Sequence, residues 1–192
     1  MLKSVSFLPL YNSKSNDVLN DFYLPAMVNS IKYDRVSAFF DSKILRMYSK
    51  GLENIVKNNG YIRFVFSYEL SEEDFESMKR GYELRNEIVN SLSHCIHEED
   101  AISEEFSNIA YLIANNIVDV KIAFTQKGVF HDKFGIFSDE EGNLLYFRGS
   151  NNETVASIIN NYESFETSKS WECDEFERNT RSNGNIIYEV FT

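Results

Sequence analysis

Two aromatic, apolar runs, residues 129–137 and 144–148, flank Asp139-Glu140-Glu141-Gly142-Asn143. Short β-prone runs on either side of a polar, Gly-containing turn specify a β-hairpin, so whatever else the chain does must be built around that ribbon. The first run also carries chemistry. His131 and Lys133 are two apart, on the parity of Gly135 and Phe137, while Phe130, Asp132, Phe134 and Ile136 hold the other parity. Alternation along a strand sends the two sets to opposite faces, so His131 and Lys133 project to one side. A nucleophile or proton carrier then stands beside a fixed positive charge, a pairing suited to phosphate chemistry.

Upstream of the hairpin, strand-like and helix-like periods alternate. Residues 3–8 read as a short β segment. A helix capped by Asn16 or Asp17 is predicted to run to Lys32, with Val18, Leu19, Phe22 and Met27 on its apolar side. Arg35-Val36-Ser37-Ala38-Phe39-Phe40 reads as a strand, followed by a helix over 43–57 that Asn58-Asn59-Gly60 ends. Residues 61–66 form a buried strand in this reading, with Phe39, Phe40, Phe64 and Phe66 in the core. Ser71 caps an acidic first turn, and helical pattern extends to Asn116 as two helices broken near 97–100. Strands over 118–124 and 162–167 and a short helix over 154–160 complete the pattern. Alternating strands and helices with a late hairpin indicate an α/β sandwich on a mixed sheet, and length and pattern fit one domain over residues 1–192.

The chain carries 30 acidic against 19 basic residues, a net charge of −11. Phosphate neutralisation by Lys and Arg supplies most non-specific nucleic-acid affinity, so a strong autonomous grip on nucleic acid is not expected. The acidic stretches 69–76, 98–105 and 172–177 read as solvated faces away from a small basic pocket. No apolar run reaches the ~18 residues a membrane span needs, and the first ten residues do not resemble a secretory signal. Cys95 and Cys173 have no motif spacing, which fits a reducing cytoplasm. His94-Cys95-x-His97 lacks a second ligand pair at zinc spacing and reads as a polar helix end, so no metal is expected.

In order along the chain stand His131-x-Lys133, Gly149-Ser150-x-Asn152 and Asn161-Tyr162-Glu163. This order resembles the signature of the phospholipase D superfamily: His-x-Lys, a downstream Asp, Gly-Ser-x-Asn and a later Glu. It is most like the family's single-motif nuclease-like domains, including those fused to bacterial helicases or restriction enzymes. The signature departs at one point, because Ser138 occupies the family's Asp place and Asp139 comes one residue later; Asp139 is therefore assigned to the turn, where Asp is favoured. The resemblance implies a phospholipase D-like α/β sandwich whose mixed sheet is flanked by helices. It also implies cleavage of a phosphodiester without metal or cofactor, in two steps through a phosphohistidine.

On that resemblance His131 is the nucleophile, and Lys133 and Asn152 hold the phosphoryl oxygens with Ser150 close by. Glu163 orients the imidazole, with Glu166 a less suitable substitute. One motif copy implies a homodimer in which two His131 side chains share a cleft. The implied substrate is DNA, with a helicase or DNA-recognition domain elsewhere in a longer protein. The alternative is a catalytically degenerate module that holds phosphate or nucleic acid, or that only dimerises. A lipid substrate is disfavoured by the lack of a basic amphipathic helix. Asn152 has a second reading from the residues alone, as cap of the helix near Thr154.

Overall fold

A computed structural model describes residues 1–67, 71–91, 107–123 and 130–172. In chain order these give β1 (Leu10–Asn12), a π-helical turn (Leu19–Tyr23) leading into α1 (Leu24–Val28), β2 (Lys32–Ser37), α2 (Ile44–Met47), α3 (Ser49–Lys57) and β3 (Tyr61–Ser67). They continue with α4 (Glu72–Ser91), α5 (Ser107–Ala114), β4 (Val118–Ala123), β5 (Phe134–Ser138), β6 (Leu144–Gly149), α6 (Val155–Ile159) and β7 (Ser164–Lys169). The strands join in one mixed sheet of order β1-β7-β6-β5-β2-β3-β4. β2 pairs parallel with β3, and β3 with β4, while β5 runs antiparallel to both β2 and β6. β7 is antiparallel to β6 and β1. The α/β fold with a mixed sheet and flanking helices is the one expected.

The hairpin forms as its sequence demands, with Phe134 opposite Arg148 and Ser138 opposite Leu144. Period-two alternation divides its side chains between two apolar clusters. Phe137, Leu145 and Phe147 join a large core with Tyr33, Phe64 and Phe165 from other strands and with residues of α1 to α5. Phe134, Ile136 and Tyr146 join Val36 and Val65 in a smaller cluster on the opposite face. Phe22 touches the rings of Phe137, Phe147 and Phe165 at centroid distances of 6.0, 5.1 and 4.8 Å, so the helical turn before α1 is pinned to the hairpin and its neighbour. Such pairs contribute about 0.5–1.5 kcal/mol each beyond the area they bury.

Several sequence expectations are corrected. Residues 3–8 are not a strand: Leu2–Ser4 form a 3-10 turn with Leu2 fully buried, and the first strand is Leu10–Asn12, after Pro9. The first helix stops at Val28 instead of reaching Lys32, because Lys32 and Tyr33 are already paired with β3 and β5. The strand expected at 35–40 therefore sits earlier and ends at Ser37. The helix over 43–57 is interrupted at Tyr48, whose ring stacks on Tyr23 with centroids 5.3 Å apart. Its C-terminal stop is where expected, with Asn59 taking the left-handed conformation (φ 51°) and the Gly60 N–H closing on the Ile55 carbonyl. Trp171 packs against the edge of the large core. The expected helix break near 97–100, the His94-Cys95-x-His97 group, the acidic stretch 98–105 and Cys173 lie outside the described residues. Among the described residues no helix is long and apolar enough to cross a membrane.

Asp139 belongs to the turn, at the end of the hairpin remote from His131. Its carboxylate accepts hydrogen bonds from Leu2 N, Asn143 N, Asn143 Nδ2 and Glu141 N at 2.9–3.1 Å. Burial alone would raise its pKa, but the bonds from Asn143, Leu2 and Glu141 outweigh it and hold the carboxyl below its ordinary value. Its stabilising contribution is thus present above the unfolded-state value and lost as pH falls through the folded-state value. Asp139→Ala is expected to cost about 2–3 kcal/mol near neutral pH, the range for hydrogen bonds to a charged acceptor. In urea titrations the gap between variant and wild type should begin to narrow near pH 4, as the unfolded-state carboxyl takes up its proton, and keep narrowing until the pH passes below the lowered folded-state value. A gap that does not change with pH would show that the charge is not what holds the turn.

Candidate active site

Strand directions bring the chemistry to one edge of the sheet. β5 runs against β2 and β6, and β7 runs against β6, so the C-terminal ends of β2 and β6 meet the N-terminal starts of β5 and β7. Four segments converge there: 37–40 at the end of β2 and just past it, 131–133 before β5, 150–153 after β6, and Glu163 immediately before β7. His131, Lys133, Ser150, Asn152 and Glu163, spread over 33 residues of sequence, thus come to one place.

His131 and Lys133 lie in the segment leading into β5, which begins only at Phe134, so they are not on the strand as expected. The predicted alternation nevertheless extends through them. Asp132 turns to one face and accepts from Arg148 Nη2 at 3.1 Å, while Lys133 turns to the other. Asp132 Oδ1 also takes the Lys133 N–H at 2.9 Å. The Lys133 ammonium is buried, donates to the His131 carbonyl at 2.8 Å, and stands 3.1 Å from Nδ1 and 3.3 Å from Nε2 of the imidazole. Burial and the nearby Arg35 lower the Lys133 pKa, opposed by the charges of Asp132 and Glu163. The His131 ring itself is exposed. A cation is therefore fixed against an accessible imidazole.

Ser150 and Asn152 are set by tight packing after β6. A Cβ at Gly149 would stand 2.2 Å from the Ser164 carbonyl oxygen and 2.5 Å from Phe165 Cα, so only glycine lets β6 approach β7 here. Ser150 N donates to the Ser164 carbonyl at 3.0 Å, and Ser150 Oγ accepts from Ser164 N at 3.2 Å. Asn152 Oδ1 accepts from Phe39 N at 3.2 Å and Ser37 Oγ at 3.4 Å. It is not the cap of α6, a role taken by Thr154, whose Oγ1 accepts from Ser157 N. Asn152 Nδ2 donates to no described residue.

Glu163 does not orient the chain's own His131. Its Oε2 accepts a short hydrogen bond from Ser150 Oγ, and its Oε1 accepts from Asn161 Nδ2 at 3.1 Å. Glu166 stands opposite Arg148 and Leu10 in the sheet, away from the imidazole. Among the described residues, Lys133 is the side chain within hydrogen-bond distance of the His131 ring.

Beneath the site lies a polar network that the signature does not include. Arg35 and Glu153, both fully buried, pair at 2.7 Å. Arg35 Nη2 donates to the Asn151 carbonyl, Tyr33 OH donates to Glu153 Oε2 at 3.1 Å, and Asn151 Nδ2 donates to Tyr23 OH. The Arg35 guanidinium also lies 4.9 Å over the Phe147 ring. A Cβ on Gly135 would collide with that ring at 2.3 Å, so Gly135 makes room for it. No local signal in the sequence marks this network, because Arg35 shares its strand with Lys32 and Asp34 and its partner Glu153 is 118 residues away. Among the described residues no group of three or more His, Cys, Asp and Glu side chains is placed to hold a metal ion.

The fold is a phospholipase D-like α/β sheet, and the candidate residues lie where β2, β5, β6 and β7 meet. The chain is similar in structure to NucT from Helicobacter pylori, with a TM-score of 0.56, 14% identity and 94% of each chain covered. It is likewise similar to Nuc from Salmonella typhimurium, a phospholipase D family member, with a TM-score of 0.52, 13% identity, and 94% of this chain and 93% of that one covered. No family model and no curated protein matches the sequence.

Proposed function

We propose that the chain is a phosphodiesterase of the nuclease type, acting on DNA from a site built by His131, Lys133, Ser150, Asn152 and Glu163. The observation that carries this reading is the buried Lys133 ammonium held 3.1 Å from the exposed His131 ring. In the first step a ring nitrogen of His131 attacks phosphorus, the P–O bond to the leaving group breaks, and the leaving oxygen takes a proton from a second imidazole. In the second step water attacks the phosphohistidine, the P–N bond breaks, and that second imidazole, now neutral, accepts the water's proton. Splitting one displacement into two is the usual advantage of a covalent intermediate. Lys133 and the Asn152 amide stabilise the charge on the phosphoryl oxygens. No metal enters the scheme.

The second imidazole is His131 of another protomer, since the described chain brings only one histidine to the site. A two-fold dimer brings the same surface of each chain to the axis, which places one His131 on each side of a shared phosphate. With a net charge of −11, most of the affinity for DNA comes from elsewhere in the assembly, such as a helicase or DNA-recognition domain of a longer cytoplasmic protein.

A second reading is supported by Glu163, which is engaged with Ser150, so that among the described residues no carboxylate is bonded to the imidazole. On it, the site holds phosphate or nucleic acid without turnover. Labelled DNA incubated with protein in excess EDTA separates the two. Cleavage that persists, with an acid-labile phosphoryl adduct trapped on the protein at low temperature, is the expected result. Binding without adduct or cleavage would establish the second reading, and strict dependence on Mg²⁺ would refute the first.

A further inference from the structure

Phe39 was expected in the core, yet it is 36% exposed while its neighbours Ala38 and Phe40 are buried at 0% and 5%. It follows the end of β2 by two residues, and its ring stands edge-on to the His131 imidazole, with centroids 6.4 Å apart and planes at 85°. The backbone beneath the ring is fixed on both sides. Phe39 N donates to Asn152 Oδ1 at 3.2 Å, and the Phe39 carbonyl accepts from Ser37 Oγ at 2.8 Å. The next two residues are held to Glu153, Phe40 by a parallel bridge and Asp41 by its N–H at 3.1 Å. A large apolar ring is thus presented to solvent on a backbone held by Asn152 of the candidate site together with Ser37 and Glu153.

We propose that Phe39 is a stacking platform for the nucleobase beside the scissile phosphodiester, and that the site consequently takes single-stranded or unpaired nucleic acid. This rests on the phosphodiesterase reading and names its substrate class. With phosphate seated at His131 and Lys133, the attached nucleoside extends one sugar away, the scale of the imidazole-to-phenyl spacing. Every base offers a π-face, so such a platform binds without reading sequence. A base in duplex is already stacked and paired, and reaching Phe39 would require its extrusion. The acidic chain has little phosphate-neutralising charge to contribute, which leaves stacking as a main local source of grip. Because the loop is clamped before substrate arrives, little ordering is needed on binding.

The test compares wild type, Phe39→Ala and Phe39→Trp in EDTA on a single-stranded oligonucleotide and on one with tetrahydrofuran abasic residues in place of its nucleosides. Cleavage and fluorescence-anisotropy binding are read in parallel. Phe39→Ala should lose about ten-fold or more in kcat/KM on the base-bearing strand and little on the abasic one, while Phe39→Trp retains or exceeds wild type. Wild type should prefer the single strand to its duplex. Equal losses on both oligonucleotides would show that Phe39 only positions His131, and no loss on either would also overturn the platform. If wild type cleaves neither strand, binding decides separately: a base-dependent binding loss in Phe39→Ala keeps the platform and refutes the phosphodiesterase reading. No such binding loss, in that case, refutes both.

Discussion

Mixed with wild type under conditions that exchange subunits, His131→Ala should suppress activity as a square law. In a dimer with one composite site, a phosphohistidine and a proton donor both come from position 131, so a mixed dimer has one role filled and is inactive. An equal mixture would retain about one quarter of wild-type activity at fixed wild-type plus variant concentration, against about one half for independent sites. Alone, His131→Ala should fall by at least about 10³-fold, since removal of a nucleophile eliminates the covalent route and leaves only what binding contributes. The imidazole ring is exposed and its described contacts are to Lys133 and the Phe39 edge, so the variant should fold and dimerise normally. Size-exclusion chromatography and circular dichroism check that first; steady-state cleavage of a labelled strand across mixing ratios then reads the exponent. A linear mixing curve would sink the shared site, and near wild-type turnover by the pure variant would sink His131 as nucleophile.

What could be read from the sequence follows the range of each interaction. The hairpin, the Ser71 cap and the stop after Lys57 are local, set within a few residues by alternation, a side-chain oxygen or a left-handed residue, and each is found where the sequence places it. The first strand is three residues long and exists through its pairing with β7, more than 150 residues away, so no local pattern announces it. The position of β2 between β3 and β5 is likewise a product of long-range pairing. The candidate site divides in the same way. His131 and Lys133 are found together because they are two residues apart. Glu163 bonds Ser150 and not His131, because Gly149 lets β6 and β7 approach closely enough for Ser150 to reach the carboxylate, a contact between strands that no local pattern shows. Phe39 reads as core because Phe39-Phe40 closes what looks like a strand over 35–40, and nothing local shows that the strand ends at Ser37.

The same logic makes the Arg35–Glu153 pair the second large expected effect, because its members are 118 residues apart and both are wholly enclosed. Arg35→Met leaves the Glu153 carboxylate buried with Tyr33 OH as its remaining side-chain donor, and frees the Asn151 carbonyl from its guanidinium. Breaking a buried pair from one side costs about 3–5 kcal/mol, because the surviving charge has no water to return to. For a chain of this length that corresponds to a fall of about 10 °C in Tm. Glu153→Leu should cost as much. The double variant Arg35→Met/Glu153→Leu should cost clearly less than the sum, with a coupling of about 2 kcal/mol or more from a double-mutant cycle in urea. Full recovery is not expected, since Tyr33 OH and the Asn151 carbonyl also lose a partner. The pair also determines the site. Arg35 grips Asn151, Glu153 ties the segment to Tyr33 and Ser37, and Asn152 stands between them holding Phe39. Loss of the pair should therefore lower nucleic-acid binding and cleavage even at temperatures where the double variant remains folded. Strictly additive costs, or single-variant costs below about 1 kcal/mol, would show the pair to be incidental to both the fold and the site.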